Sequence, residues 1–437
     1  MPYSFYGGVH PPSFKSLTSD GALKKVYVSK RVVLPLSQHT GSPAEPVVKP
    51  GDTVTVGQLI AKATGFVSSP IHATISGKVT KISYSPSPTS PRALSIFIES
   101  QGDEDQEFKS KERGNIGSLS GDELLVIIRD SGVVGLGGAA FPTHVKLSPP
   151  KNKSIDTVIL NGAECEPYLT CDQRLMMDRP DEILKGLEVI LKILGARKAY
   201  IAIEDNKLPA IYAMEKALSG RTFHDAAAVK ISVLHTRYPQ GAEKQMIKSV
   251  LNRVVPAGGL PMDVGCIVQN VGTVFAIYEA VYLSRPLIKR AITLTGSCLN
   301  EPMNVQVRIG TILKDIAEAT GGFKRDPKKI IMGGPMMGVA QYTMEVPIVK
   351  GTSGALFLSK EELCEARESV CIRCGKCIEA CPMGLVPTTL MYRVKKESFA
   401  EAKDLGIMNC FECGACAYEC PAKIPLLDYM KYGKAKV

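Results

Sequence analysis

Eight cysteines between Cys371 and Cys420 carry the most specific chemistry in this sequence. They read CIRCGKCIEACP from residue 371 and CFECGACAYECP from residue 410, two copies of C-x2-C-x2-C-x3-C-P offset by 39 positions. That spacing suits cubane iron–sulfur clusters: three closely spaced thiolates hold one cluster, and the fourth cysteine of each run crosses to the other. The expected sets are Cys371, Cys374, Cys377 and Cys420 on one 4Fe–4S cluster, and Cys410, Cys413, Cys416 and Cys381 on a second. Gly375 and Gly414 let backbone amides approach the sulfides, and the proline after each fourth cysteine ends its turn. Zinc in a closed tetrahedral site would use two C-x2-C pairs and leave cysteines over. Disulfides suit oxidising compartments, whereas the rest of the chain reads as intracellular. With two redox clusters at one end, the remainder is expected to feed or drain electrons.

Two further stretches hold candidate chemistry. GVVGLGGAAFPTHVKL (132–147) clusters glycines between expected elements, where successive backbone N–H groups can turn inward and cradle a phosphate. Lys146 lies close enough in sequence to add a charge. A glycine cluster also serves tight packing, so alone the motif is weak. NGAECEPYLTCDQR (161–174) follows directly on a strand, and open α/β sheets bind ligands at strand ends. Asn161, Glu164 and Glu166 are polar groups there, with helix capping or a solvated loop as the plain alternative.

These groups need several domains to position them, and 437 residues exceed one core. The chain is 45% hydrophobic, with a net charge of +10 that is spread along it and ends in the basic tail Lys431–Lys436. No DNA- or RNA-binding motif accompanies the charge, so no nucleic-acid partner is expected. Met1–Lys15 is polar and proline-rich, unlike a secretory signal. The most apolar stretch, Gly265–Leu283, contains Gln269, Asn270 and Glu279, which argues against a membrane span.

Residues 1–30 read as an extended arm in which His10 is a surface residue. Short strands with Pro and Gly turns fill 31–100. The pieces VKPGDTVTVGQLIA and ATISGKV resemble the barrel-sandwich of biotinyl and lipoyl carriers, without the modified lysine near Ala73–Thr74; a docking module is expected. A polar linker covers 101–120. From 121 to 286 strands and helices alternate, as in a layer on parallel strands. Ile183, Leu187, Ile190, Leu191 and Leu194 mark one helix stripe. Residues 287–355 (strand, strand, helix, strand) suggest a β-grasp domain. A two-cluster domain fills 356–437, entered through a helical SKEELCEARES.

GLGGAAFPTHVK, NGAECEP, YPQGAEKQM (238–246) and VQNVGT (268–273), followed by a β-grasp and cysteines, resemble the flavin-carrying, NADH-oxidising subunit of respiratory complex I. The opening FYGGVHPPSFK, the barrel and the doubled cysteine run make the chain more similar to the C subunits of Rnf complexes, the ferredoxin:NAD oxidoreductases of bacterial membranes. The fold this implies is multidomain α/β: a β barrel-sandwich, a Rossmann-like flavin domain, a soluble-ligand-binding β-grasp domain and a helical bacterial-ferredoxin-like domain.

The resemblance implies non-covalent FMN with NAD(H) stacked beside it. Gly135, Gly137 and Gly138 would form the FMN phosphate loop, with Lys146 near phosphate or ring. Phe141 would pack on the nicotinamide or adenine, and Glu166 would orient the nicotinamide. Asn161, Glu164, Glu243 and Asn270 match further flavin-site positions. The complex I pattern has an aspartate and a glycine where this chain has Ala163 and Cys165, and one of its paired glutamates is Ala242 here. Cys165 is expected to be a small packed thiol near the flavin; Cys171, Cys266, Cys298 and Cys364 are expected to be buried thiols.

The function implied is hydride exchange between NAD and FMN, with single electrons passing through two 4Fe–4S clusters. The partners implied are membrane-embedded Rnf subunits and ferredoxin-like carriers that couple the redox reaction to ion transport. The chain would sit peripherally on the cytoplasmic face of the membrane. Ala163 keeps open a flavin-free electron-relay and docking subunit. A cobalamin-reductase-type flavoprotein is the other alternative, and the N-terminal barrel argues against it.

Overall fold

The computed structural model describes residues 3–27, 29–102, 106–363 and 367–437. Cys364 lies outside them. The N-terminal segment is not a free arm: β1 (Lys24–Tyr27) joins a sheet formed almost three hundred residues later. Next come two small facing sheets. One contains β2 (Arg31–Pro35), β3 (Gly77–Ser87) and β4 (Ser90–Glu99) in the order β2-β4-β3, extended by Thr53–Val54. The other joins Glu45–Pro46, Leu59–Lys62 and Ile71–His72. Alternation along β2 and β4 sends Val32, Leu34, Ile96 and Ile98 inward, where they meet Ile60, Ile71, Ile75 and Val79. The hairpin tip, where carriers hold their modified lysine, is packed away: Ala73 and Thr74 are buried, and the Thr74 hydroxyl donates to the Ile309 carbonyl at 2.6 Å. A docked module, not a swinging arm, follows from that contact.

The polar stretch from 106 to 120 is laid onto its neighbours. Gln106 exchanges side-chain hydrogen bonds with the backbone of Ser76, and Arg113 donates to the Val281 carbonyl. Helix α1 (Gly121–Asp130) then starts at a Ser120–Glu123 capping box, which satisfies two of its free N-terminal donors.

The α/β layer holds four parallel strands: β5 (Thr157–Gly162), β6 (Lys198–Glu204), β7 (Ala228–Leu234) and β8 (Cys266–Asn270). Their order is β7-β6-β5-β8. The chain builds outward from β5 to β7, then returns to the other side of β5 for β8. Around them lie α2 (Cys171–Asp178), α3 (Pro180–Leu194), α4 (Leu208–Leu218), α5 (Glu243–Leu251) and α6 (Val271–Leu283). The expected stripe on α3 faces the core, with Ile183, Leu187, Ile190 and Leu191 buried. Gly186 on the same helix allows α6 to approach: a Cβ there would stand 2.2 Å from the Val274 carbonyl oxygen.

A six-stranded sheet follows. It joins β1 to β9 (Lys289–Thr295), β10 (Met303–Arg308), β11 (Lys329–Met332), β12 (Val339–Gln341) and β13 (Gly354–Leu358), in the order β1-β10-β9-β13-β11-β12. Helix α7 (Leu313–Ala319) covers it. Two expectations are corrected here. β13 pairs with both β9 and β11, so the sheet runs past the boundary expected at 355. Among the described residues of SKEELCEARES, the expected helix is found only as the single turn Lys360–Glu362, closed by a Ser359–Glu362 capping box before Leu363 becomes extended, and residues 367–370 have no regular structure.

The C-terminal part is a small helical domain: α8 (Lys376–Glu379), α9 (Pro387–Lys395), α10 (Phe399–Asp404), α11 (Ala415–Tyr418) and α12 (Leu426–Lys436). Its sequence repeat is also a backbone repeat. Arg373, Gly375 and Gly384 have positive φ, and so do Glu412, Gly414 and Lys423, each 39 positions later. Among the described residues, no helix is long and apolar enough to cross a membrane.

Buried cations tie these units together. Lys350 donates to the Ser69 hydroxyl and the Pro70 carbonyl of the barrel and to the Gly132 carbonyl of the α/β unit. Lys350→Met leaves three acceptors without that donor and should cost about 2–4 kcal/mol. Thermal unfolding checks this against Lys24→Met, at an exposed ion pair with Glu301, which should change little.

Candidate functional site

Asn161 and Asn270 are register partners at the C-terminal ends of β5 and β8. Strand order reverses between those two strands, so the chain leaving each one diverges and a crevice opens at their ends. The sequence-derived candidates gather around it. The Asn161 amide donates to the Gly241 carbonyl at 2.8 Å and its oxygen accepts from the Ala163 N–H. Asn270 caps α6, accepting from Gly272 and Thr273 N–H, and donates to Asp172 at 2.6 Å.

The glycine loop is a narrow hairpin. Val134 pairs with Pro142, Gly135 N–H donates to the Phe141 carbonyl, and Leu136 N–H donates to the Thr273 hydroxyl. At its tip Gly137 and Gly138 are exposed. A Cβ on Gly137 would press on Asn270 at 3.4 Å; Gly138 has φ +111° and open space at the Cβ position. Phe141 is half-buried at the neck. Lys146 pairs with Glu243, the first residue of α5, so two candidates distant in sequence meet through opposite charge. An exposed glycine tip beside a strand-end crevice, with a lysine at its rim, fits the phosphate and ring of a flavin nucleotide.

Both glutamates of the 164–169 loop accept backbone N–H groups. Glu164 has φ +46°, and its carboxylate takes the N–H groups of Asp172 and Gln173, capping α2. Glu166 points the other way and accepts from Met336 and Met337 at 3.0 and 2.8 Å. A Cβ on Gly334 would stand 2.3 Å from that carboxylate, so glycine is required for the turn to close on it. Burial pushes the Glu166 carboxyl up to about 7, against the pull of the two amides.

Several residues of this site were not singled out from the sequence. Asp172 lies between Glu164 and Asn270, and burial, with the Glu164 charge second, pushes its carboxyl up from the ordinary range. Lys15, from the N-terminal segment, donates to three carbonyls of the 164–169 loop. Arg290 on β9 donates to the Leu136 carbonyl behind the glycine hairpin. Asp172 belongs to the strand-end stretch NGAECEPYLTCDQR and Lys15 closes the opening FYGGVHPPSFK, so both stood within recognisable motifs. Arg290 carried no local signal.

The cysteines form two groups of four. One pocket is lined by Cys371, Cys374, Cys377 and Cys420, the other by Cys381, Cys410, Cys413 and Cys416. Three thiols of each run are thus joined by the fourth of the other, and each soft tetrathiol cage fits a cubane cluster. Leu385 N–H donates to the Cys381 sulfur and Glu412 N–H to that of Cys410. The second group packs against the loops of the strand-end crevice. The Tyr238 hydroxyl donates to the Cys413 carbonyl at 2.7 Å, and Cys165, Met336, Tyr238, Ala380, Cys413 and Phe411 share one apolar cluster. Cys165 accepts from Gly241 N–H, and burial pushes its thiol up, so it sits there as a neutral packed group. Cys171, Cys266 and Cys298 are buried, as expected.

Comparison with known proteins matches this architecture piece by piece. Residues 3–103 match the RnfC barrel sandwich hybrid domain, 128–279 the Nuo51 FMN-binding domain, 291–340 the SLBB domain and 370–424 the 4Fe-4S dicluster domain. The C subunit of the proton-translocating ferredoxin:NAD(+) oxidoreductase complex of Clostridium ljungdahlii is 48% identical, over 99% of this chain and 94% of that protein. The C subunit of the Na(+)-translocating ferredoxin:NAD(+) oxidoreductase complex of Acetobacterium woodii is 41% identical over 99% and 97%. The C subunit of the ion-translocating oxidoreductase complex of Rhodobacter capsulatus is 40% identical over 100% and 83%. Among solved structures, an NAD+-reducing [NiFe]-hydrogenase in the H2-reduced state shares the fold over 74% of this chain and 63% of that one, with a TM-score of 0.53 and 18% identity.

A pH dependence follows from Glu166. Its folded-state pKa of about 7 exceeds the ordinary 4.5, so the folded chain retains the proton between these values. The associated stability is full below pH 4.5 and is lost as pH rises through 7. In thermal unfolding between pH 5 and 8, Glu166 should therefore contribute a decline of about 2–3 kcal/mol, beside the decline contributed by the likewise raised Asp172, and Glu166→Gln should remove the Glu166 share alone.

Proposed function

The chain belongs to the family of Rnf-complex C subunits, part of an ion-translocating ferredoxin:NAD oxidoreductase, and from that premise we propose that it is where NAD(H) exchanges electrons with the complex. The observation that carries this reading is the packing of one tetracysteine cage against the loops of the strand-end crevice, through Tyr238 and Cys413. Bound FMN supplies the conversion between a two-electron hydride carrier and one-electron iron–sulfur clusters. The residues bind, orient and exclude water. No acid–base side chain is required for hydride transfer.

In this reading Gly135, Gly137 and Gly138 present amides to the FMN phosphate, with Lys146 released from Glu243 to meet it. Asn161, Glu164, Glu243 and Asn270 border the ring, while Phe141 and Glu166 orient the nicotinamide. Two 4Fe–4S clusters occupy the cages. The cage of Cys381, Cys410, Cys413 and Cys416 is the one nearer the crevice. The cage of Cys371, Cys374, Cys377 and Cys420 is the outer one: Cys374 is exposed, and Val370 and Ile372 beside it are 85% and 67% exposed. That side faces the other subunits or a ferredoxin-like carrier. The chain is attached to the cytoplasmic face of the membrane through its partners, which carry the coupled ion.

Anaerobic absorbance of the purified, reconstituted chain, with flavin and iron quantified, tests the reading during titration with NADH. Flavin bleaching followed by loss of the iron–sulfur band is expected. Clusters without flavin, and no response to NADH, would leave only the relay role. Cys374→Ala should still let NADH bleach the flavin while onward transfer to the other subunits falls by at least about tenfold. Undiminished transfer in that variant would remove the outer cage from the path.

A further inference from the structure

Lys15 is remote in sequence from every residue assigned above, yet it lies at the centre of the loop that carries both glutamates. Its side chain is buried, and its ammonium donates to the carbonyls of Glu164 (2.8 Å), Glu166 (2.9 Å) and Leu169. An ammonium has three protons, and three acceptors converge on it. Its hydrogen-bond partners are carbonyls, so the position of the ammonium is set by the shape of the loop. Two non-glycine residues of the loop, Glu164 and Tyr168, have positive φ, a region that L side chains seldom adopt, and Tyr168 is buried against Phe14. The strained backbone and the cation sustain each other.

The segment that delivers Lys15 is anchored on both sides. Tyr168 N–H donates to the Ser13 carbonyl, Phe14 stacks on the Tyr168 ring at 4.7 Å, and the Thr18 and Thr170 hydroxyls are 2.6 Å apart. Further back, Val9 pairs with Tyr238, and Gly8 N–H donates to the Ala380 carbonyl beside Cys381. The segment thus runs from a cluster-bearing turn to the glutamate loop.

We propose that Lys15 is a positioning residue of the nicotinamide–flavin site. It is the cation around which the 164–169 loop folds, so that Glu164 holds α2 while Glu166 reaches across to the Met336–Met337 turn. The inference rests on the reading that this loop serves flavin and nicotinamide. Removing the ammonium frees three carbonyls and lets both carboxylates drift from the crevice, which weakens nicotinamide binding more than it slows turnover at saturation.

The experiment uses the full-length protein reconstituted with FMN and iron–sulfur. Lys15→Met keeps the stem and removes the charge. With flavin and iron contents equal to wild type, KM for NADH should rise by about tenfold while kcat with an artificial one-electron acceptor changes by less than about threefold. Amide hydrogen exchange across 164–170 should accelerate. Lys15→Arg should not restore KM, because a planar guanidinium cannot address three convergent carbonyls, whereas Lys24→Met should behave as wild type. Unchanged KM and unchanged exchange in Lys15→Met would overturn the proposal. A measurement on wild-type protein covers the case in which the variant does not fold: amides of 13–18 and 164–170 should exchange together as one opening unit. A loop that stays protected while the N-terminal segment exchanges would overturn the proposal as well. Failure of flavin or NADH to bind the wild type would refute the functional reading, and the exchange result would still decide what Lys15 holds.

Discussion

The pairing of β8 with β5, on the side opposite β6, is the constraint from which the site follows. It places Asn161 and Asn270 opposite each other and obliges the chain leaving each strand to turn a different way. Every backbone group in the diverging loops then needs a partner that the sheet does not provide. Asn270 supplies one by capping α6, Glu164 another by capping α2, and Thr273 a third by receiving Leu136 N–H. The polar residues at the crevice therefore have structural duties before any cofactor arrives. Their positions are thereby fixed by the fold itself.

Where the domains meet, the same accounting recurs with cations. Lys15, Arg290 and Lys350 are all buried, and each donates to loop carbonyls belonging to another part of the chain. A charge in such a place costs desolvation, and burial alone pushes Lys350 down to about 7. Several carbonyls converging on one ammonium offset that cost and satisfy irregular backbone that no strand or helix could pair. Arg290 and Lys350 are themselves joined, Arg290 donating to the Lys350 carbonyl. The glycine hairpin, the barrel and the β9 sheet are thus held through one continuous polar seam. The barrel's hairpin tip is closed off by this arrangement, which is why a carrier-like module here serves as a wall and not as a moving arm.

At the other end, the exchange of fourth cysteines does comparable work. Each run contributes three thiols locally and one across, so neither cage is complete until both halves of the repeat have packed. The matched left-handed residues, 39 positions apart, show two turns of the same shape facing each other. Tyr238 and Met336 then bring one cage against the crevice loops and leave the other outward, so a nearly symmetric sequence gains a direction.

The cysteine spacing, the strand–helix alternation of 157–283 and the stripe on α3 were legible in the sequence. Each is a local pattern, and local spacing alone decides which thiols or apolar groups share a face. Asn161 and Glu164 were legible because strand ends bind ligands whatever the rest of the fold, the glycine cluster because clustered N–H groups can cradle a phosphate, and Asn270 only through the resemblance to a flavin-carrying family. Other features were not. β1 could not be placed, since four residues find their sheet only when β10 presents an open edge. The turn at Lys360–Glu362 was read as a helix because its charges suit one. Lys15 and Arg290 were not singled out, since no local pattern marks a lysine or arginine that distant carbonyls will bury. Spacing in the sequence determined what the loops carry; long-range packing decided which buried charges hold them in place, because a carbonyl cluster exists only after distant segments have met.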